Sequence, residues 1–286
     1  MNTLQQNIQK EWENKPMTYD WNKTNQYTEG TKEWFEEIDK RFFNEVSSFF
    51  AQNKNEKQFS GLIPYEKIKG KNVLEIGCGS GAHSRLIVEA GANLTAIDLT
   101  EKAIELTRKR LGLYGCEAVV KQMDAEHMDF PDNTFDFIWS WGVIHHSSNT
   151  EKIISEIYRV LKPTGEVRVM VYNWNSLNCF VSLCRGLLTG RLFRNSVQET
   201  LNYYSDGLVA RYFTRIEFNS LFDMYFSSVE TRTLGQKNEL VVIPSFGGRL
   251  SNFKYRLAGL IPDFLSESIL SLIGGFLFLV ARNKKY

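Results

Sequence analysis

The sequence predicts an α/β fold, a doubly wound, mostly parallel sheet of seven strands. Three observations carry that prediction. From residue 71 onward, short β-branched or apolar runs alternate with segments of helical spacing. The first run, Val73–Ile76, opens directly into Gly77-Cys78-Gly79-Ser80-Gly81. Strands that alternate with helices build parallel βαβ units, and right-handed crossovers place helices on both faces of the sheet.

Residues 1–65 read as an appended helical lid. Thr31 is an N-cap residue type, and Phe35, Ile38, Phe42, Val46 and Phe49 mark one face of the helix after it. Asn53–Lys57 reads as the following loop. Residues 66–172 form the core. A helix after the glycine loop runs to Ala90 and is closed by Gly91. Leu94–Leu99 is the second strand. Thr100 caps a helix with Ala103, Ile104, Thr107 and Leu111 on one side. Ala118–Gln122 and Phe135–Trp139 are the third and fourth strands. Ile154, Ile157, Tyr158 and Leu161 share a helical face, and Pro163 and Gly165 stop that helix. Val167–Tyr172 is the fifth strand.

Residues 173–225 read as a cap insertion on the acceptor side. Residues 226–286 close the sheet, with Phe226–Leu234 and Gly275–Ala281 as an antiparallel pair around an apolar helical stretch, Arg249–Leu272. The runs Phe180–Leu188 and Ile269–Phe278 read as core and closing strand in preference to membrane-surface contacts. None is long enough to span a bilayer.

Composition narrows the function. The chain has 286 residues, with 34 Lys plus Arg against 33 Asp plus Glu. That balance argues against a nucleic-acid partner tracked by the whole surface. Cys78, Cys116, Cys179 and Cys184 form no CxxC pair, so neither zinc nor a disulfide framework is expected. A reducing cytoplasm is the expected compartment. The N-terminus is polar and lacks an apolar signal core. Oligomeric state is not readable.

In such a sheet the ligand sits beyond the C-terminal ends of the strands. Gly77 and Gly79 allow close backbone approach. Gly77, Gly79 and Ala82 also fit a dinucleotide fingerprint, with Asp98 about twenty positions on, ready for ribose hydroxyls. NAD or any adenosine ligand fits that much. Further on come Asp124-Ala125 after the third strand, Phe130–Ile138 leading into Trp139–His146, and Leu161–Glu166.

This succession resembles the class I S-adenosylmethionine-dependent methyltransferases, in the broad group that includes the small-molecule methyltransferases of quinone biosynthesis. The resemblance covers roughly residues 66–172. Trp12–Trp21 and Met170–Asn178 are similar to a bacterial subgroup of such enzymes. The resemblance implies a Rossmann-like methyltransferase fold with S-adenosyl-L-methionine as cofactor. It implies that Glu75, Gly77, Cys78 and Gly79 hold the methionine part, Asp98 the ribose and Leu99 the adenine face. Asp124 and Ala125 would read the adenine edge, and the Ser140 backbone would lie beside the methionine ammonium. A sulfonium is stabilised by ring faces, for which Tyr19, Trp139 and Trp141 are candidates.

His145 and His146 follow the fourth strand and are the candidate catalytic bases for a hydroxyl acceptor. The competing role is a loop cap. The aromatic-rich cap suits a small-molecule or carrier-linked acceptor of apolar or aromatic character, methylated on O, C or N. An NAD-dependent oxidoreductase explains the glycine loop and Asp98 but not Asp124-Ala125 or Leu161–Glu166. A catalytically silent cofactor-binding protein is the third alternative.

Overall fold

The computed structural model describes residues 1–19, 25–51, 53, 56–242 and 248–285. Asp20 and Trp21 of the N-terminal aromatic run lie outside them. Helix α1 (Thr3–Asn14) starts at Asn2, whose side chain accepts from the Gln5 N–H. Helix α2 (Lys32–Asp39) is capped by Thr31, as its residue type predicts. The helix then widens into a π-helical stretch, Lys40–Val46, before the single turn α3 (Ser48–Ala51). More residues per turn rotate the apolar stripe. Phe43 is therefore buried beside Phe35, Ile38 and Phe42, while Phe49 is only half-buried.

The short α4 (Tyr65–Ile68) leads into β1 (Asn72–Ile76), α5 (Ala82–Glu89), β2 (Asn93–Asp98), α6 (Glu101–Leu113) and β3 (Val119–Gln122). There follow β4 (Phe135–Trp141), α7 (Thr150–Val160) and β5 (Leu161–Asn173). Strands β7 (Phe226–Leu234) and β8 (Phe276–Lys284) close the sheet, whose order is β3-β2-β1-β4-β5-β8-β7. The first five strands pair in parallel, and β8 runs antiparallel to both β5 and β7. Chain order reverses direction between β1 and β4, which opens a crevice at the C-terminal strand ends.

Two differences from the sequence reading have local causes. Helix α7 ends at Val160, and the chain is already extended at Leu161, so Pro163 and Gly165 fall inside β5 at a register shift against β4. An eighth strand, β6 (Tyr212–Phe213), pairs in parallel with the end of β5. It is too short to show periodicity.

The cap holds α8 (Leu177–Leu188) and α9 (Val197–Tyr204). Helix α10 (Arg215–Asp223) belongs with the sheet: it packs on β7 and buries Phe218 and Phe222. The apolar stretch before β8 is two helices, α11 (Gly248–Gly259) and α12 (Asp263–Ile273), split at Pro262, which sits at the α12 N-cap. Leu277, Phe278 and Leu279 are buried strand residues, as expected, but Phe180, Leu187 and Leu188 of α8 are exposed.

The core has two layers, one on each face of the sheet. Val73, Ala96, Phe137 and Trp139 face one way, toward Ile87 and Ile104. Leu74, Ile97, Ile138 and Val169 face the other, toward Ile154 and Phe218. Alternate residues of the same strands are buried on both sides, which is why these strands read as continuous apolar runs. Asp39 ties α2 to this core: Arg110 Nη1 donates to its carboxylate at 2.5 Å and Arg85 Nη1 lies 3.3 Å from it.

Candidate active site

The loop after β1 is built from left-handed glycines. Gly77, Gly79 and Gly81 have φ of 78°, 55° and 79°. A Cβ on Gly77 would sit 2.2 Å from Val143 Cγ2, so no other residue fits there. A Cβ on Gly79 would meet nothing within 4 Å, because that backbone faces open space. Asp98, at the end of β2, holds the loop. Its Oδ2 accepts from the Gly79 N–H at 3.0 Å, and its Oδ1 accepts from the Thr100 N–H at 3.0 Å and hydroxyl at 2.9 Å. Burial still raises the Asp98 pKa above the ordinary carboxylate value, against these hydrogen bonds. Thr107 Oγ1 donates to the Gly79 carbonyl at 3.1 Å from the other side.

A cavity of about 820 Å³ opens along this loop and continues under the cap. Glu75, Gly77, Cys78, Gly79, Asp98, Leu99 and Ala125 line it, as do Tyr19, Trp141 and His146. Phe180, Val181 and Leu188 of α8 form its apolar cap side, and Asp206, Glu239 and Lys254 bring charge to it. Asp124, Ser140 and His145 are not in the cavity wall. Asp124 Oδ1 accepts from Gln5 Nε2 at 2.9 Å and from the Glu126 N–H at 3.0 Å. Ser140 is buried, and its hydroxyl has no hydrogen-bond partner among the described residues.

Helix α1 covers the loops after β2, β3 and β4 through long polar side chains four residues apart. Gln5 donates to Asp124 and accepts from the Ser148 N–H at 2.9 Å. Gln9 Nε2 donates to the Leu99 carbonyl at 2.9 Å, and Glu13 accepts from the Lys102 N–H at 3.0 Å. Positions 5, 9 and 13 form a polar stripe on one face of the helix, whose partners lie far away in the sequence. Tyr19 stacks on Phe42 with ring centroids 4.5 Å apart. Trp141 is layered between Trp139, at 5.7 Å, and Phe50, at 6.0 Å. Trp139 is wholly buried, and its indole N–H donates to His83 Nδ1 at 3.1 Å.

His145 and His146 share a tight turn, Ile144–His146, but face different surroundings. His146 Nδ1 lies 2.5 Å from the Val209 carbonyl. A carbonyl only accepts, so Nδ1 carries the proton and Nε2 keeps the lone pair. Burial lowers the His146 pKa to about 4. His145 lies behind it, with its ring tilted against His146 at 4.1 Å and Tyr172 at 4.2 Å, and neither ring nitrogen has a hydrogen-bond partner among the described residues. Burial holds its pKa well below the ordinary value.

Burial raises two carboxyls in the wall above the ordinary carboxylate value. Glu239 is pushed up to about 7, although it accepts from the Gln236 and Gly275 N–H groups at 2.8 Å. Glu75, pushed up to about 8, accepts from the Ser84 hydroxyl at 2.5 Å. A carboxyl whose folded pKa lies above its unfolded value binds a proton in the folded state. Its contribution is full below pH 4.5 and is lost as pH rises toward 8. Glu75→Gln keeps the acceptor for Ser84 and removes the titration. Its stability advantage over wild type is expected to grow between pH 5 and pH 8 to about 3–5 kcal/mol. Chemical denaturation across that range checks this, and a flat difference would refute the raised pKa.

These features fit a zwitterionic adenosine ligand. The wall offers an acidic group at the end of β2, an open glycine backbone at a helix start and a protonated carboxyl able to ionise beside an ammonium. A family model described as a methyltransferase domain matches residues 74–169. The chain is similar to phosphoethanolamine N-methyltransferase 2 of Caenorhabditis elegans, 35% identical over 105 residues, covering 36% of this chain and 24% of that protein. It is also similar to the ubiquinone/menaquinone biosynthesis C-methyltransferase of Citrobacter koseri, 34% identical over 111 residues, covering 37% and 44%. The chain thus spans less than half the length of these two relatives. A solved phosphoethanolamine N-methyltransferase 2 of Haemonchus contortus, in complex with phosphomonomethylethanolamine and S-adenosylhomocysteine, has the same fold. It superposes with a TM-score of 0.53 at 18% identity, over 76% of this chain and 49% of that one. The glycine loop, the sheet order and the matched stretch agree, and residues 74–169 are similar to a methyltransferase domain on a sheet of the same fold.

Proposed function

We propose that the chain transfers a methyl group from S-adenosylmethionine to a small acceptor of apolar or aromatic character. The observation that supports this best is the single cavity, which runs from the glycine loop to the apolar cap. Donor and acceptor would share one continuous space, and alignment of that kind supplies much of the acceleration of a displacement reaction. When bound, S-adenosylmethionine supplies a methyl group on a sulfonium centre.

The chain's own residues divide the work. Asp98 would accept the ribose hydroxyls, while Leu99 and Ala125 line the adenine side. Glu75 would pair with the methionine ammonium and release its proton as it does so. Tyr19 would present to the sulfonium the ring face turned away from Phe42, while Trp141, layered between Trp139 and Phe50, would contribute a ring edge to the wall. Ser140 would act through its backbone and Asp124 through its remaining carboxylate oxygen, both from behind the wall. Helix α1 would exclude water. His146, with Nδ1 fixed on Val209, would turn its Nε2 lone pair to the acceptor, and His145 would hold the His146 ring in place.

Parallel calorimetric titrations with S-adenosylhomocysteine and NAD test this reading. S-adenosylhomocysteine is expected to bind, with proton release at pH 7 as Glu75 ionises, and NAD is not. Binding of NAD alone would turn the assignment toward the oxidoreductases.

A further inference from the structure

Where the cavity opens on the cap, its rim is apolar and exposed. Leu188, at the end of α8, lines the cavity yet is 86% exposed, and Phe180 and Val242 are exposed lining residues as well. The apolar surface continues outward from there. Phe193, in the turn after α8, is 78% exposed, Leu260 79% and Phe264 72%. These positions share one neighbourhood, because α8, α11 and α12 all pack against the turn Lys237–Leu240. Lys237 Nζ also donates to the Ile261 carbonyl at 3.0 Å. Large apolar side chains grouped around one opening mark an interaction surface.

Charge selects the partner. Residues 177–195 and 253–261 contain Arg185, Arg191, Arg194, Lys254 and Arg256 and no Asp or Glu, against one exposed Glu267 on α12, in a chain whose net charge is +1. Asp263, the next acid along, is paired with Lys237. A surface that combines exposed apolar groups with unbalanced cations fits an anionic bilayer, which accepts the first into its acyl boundary and the second among its headgroups. A second copy of this chain fits less well, since these cations would face one another across the contact. Among the described residues no helix is long and apolar enough to cross a membrane, so the contact is a surface one.

We propose that this cap face docks on anionic membrane surfaces. The acceptor then enters through the Phe180, Leu188 and Val242 rim as an amphiphile, its reacting group reaching the glycine loop while its apolar part remains near the bilayer. The entry step rests on the methyl-transfer reading of the cavity; the docking step does not.

Flotation with vesicles of phosphatidylcholine, and of equimolar phosphatidylcholine and phosphatidylglycerol, tests the docking. The full chain is expected to bind the anionic vesicles at least about ten-fold more tightly, with salt weakening the binding. Phe193→Asp combined with Leu260→Asp, both outside the cavity wall, should lower that binding about ten-fold or more. The same variant should retain S-adenosylhomocysteine affinity, which shows that it is folded. Equal binding to both vesicle types, or wild-type vesicle binding by the variant, would overturn the proposal. So would light scattering in which the variant converts a dimer to a monomer, because a second copy would then cover the face. Vesicle binding without S-adenosylhomocysteine binding would leave docking standing and remove the entry step with the methyl-transfer reading.

Discussion

Asp98→Ala is expected to lower S-adenosylhomocysteine affinity by about 10²- to 10⁴-fold. The carboxylate would accept two ribose hydroxyls, and each hydrogen bond to a charged acceptor contributes about 1.5–3 kcal/mol. The same carboxylate also holds the Gly79 N–H and both donors of Thr100. Losing it therefore slackens the loop as well as removing ligand contacts. Asp98→Asn separates the two effects. Its amide oxygen can still accept from Gly79 or from the ligand, so its affinity should fall between wild type and alanine. Calorimetry should be paired with melting temperature. Affinity unchanged within error in a folded Asp98→Ala protein would remove Asp98 from the ribose and with it the adenosine end of the site.

Asp98 also shows what the sequence made legible. Its position follows from a strand, a glycine loop and a second strand, all of which have strong local signatures. Val73–Ile76 is observed as Asn72–Ile76, and Thr31 and Thr100 cap the helices they were expected to cap. Each of these depends on a few neighbouring residues. The unreadable parts depend on distant partners. Helix α1 buries only Gln5 and Ile8, so it presents no apolar stripe; its place is set by hydrogen bonds to loops about a hundred residues away. The π-helical stretch breaks the period on which the Phe35–Phe49 face was read. Asp206, Glu239 and Lys254 reach the cavity from three separate segments, and no local pattern links them. The two adjacent histidines differ because one tight turn sends one ring to the wall and the other behind it.

That difference sets up the second large effect. His146→Ala is expected to slow single-turnover methyl transfer by about 10²-fold, near the lower end of the range for loss of a general base. The lower end applies because burial has lowered the imidazole to about 4, which makes it a weak base that is always neutral near pH 7. The rate should therefore stay level as pH falls through 6.5 and drop only as His146 takes up a proton near pH 4. Stability follows the same group differently. Its folded pKa lies below its unfolded value, so the contribution is full above pH 6.5 and is lost as pH falls toward 4. His145→Ala removes a ring outside the cavity wall, and its effect should be on melting temperature, corresponding to about 0.5–3 kcal/mol. A rate loss in His145→Ala should follow only from a displaced His146 ring. His146→Gln, which keeps a polar side chain but not the imidazole lone pair, should resemble His146→Ala in rate if proton acceptance matters and wild type if only wall packing does. If His145→Ala and His146→Ala both fold, bind S-adenosylhomocysteine and turn over within a few-fold of wild type, no histidine base operates. The rate would then come from alignment in the shared cavity alone.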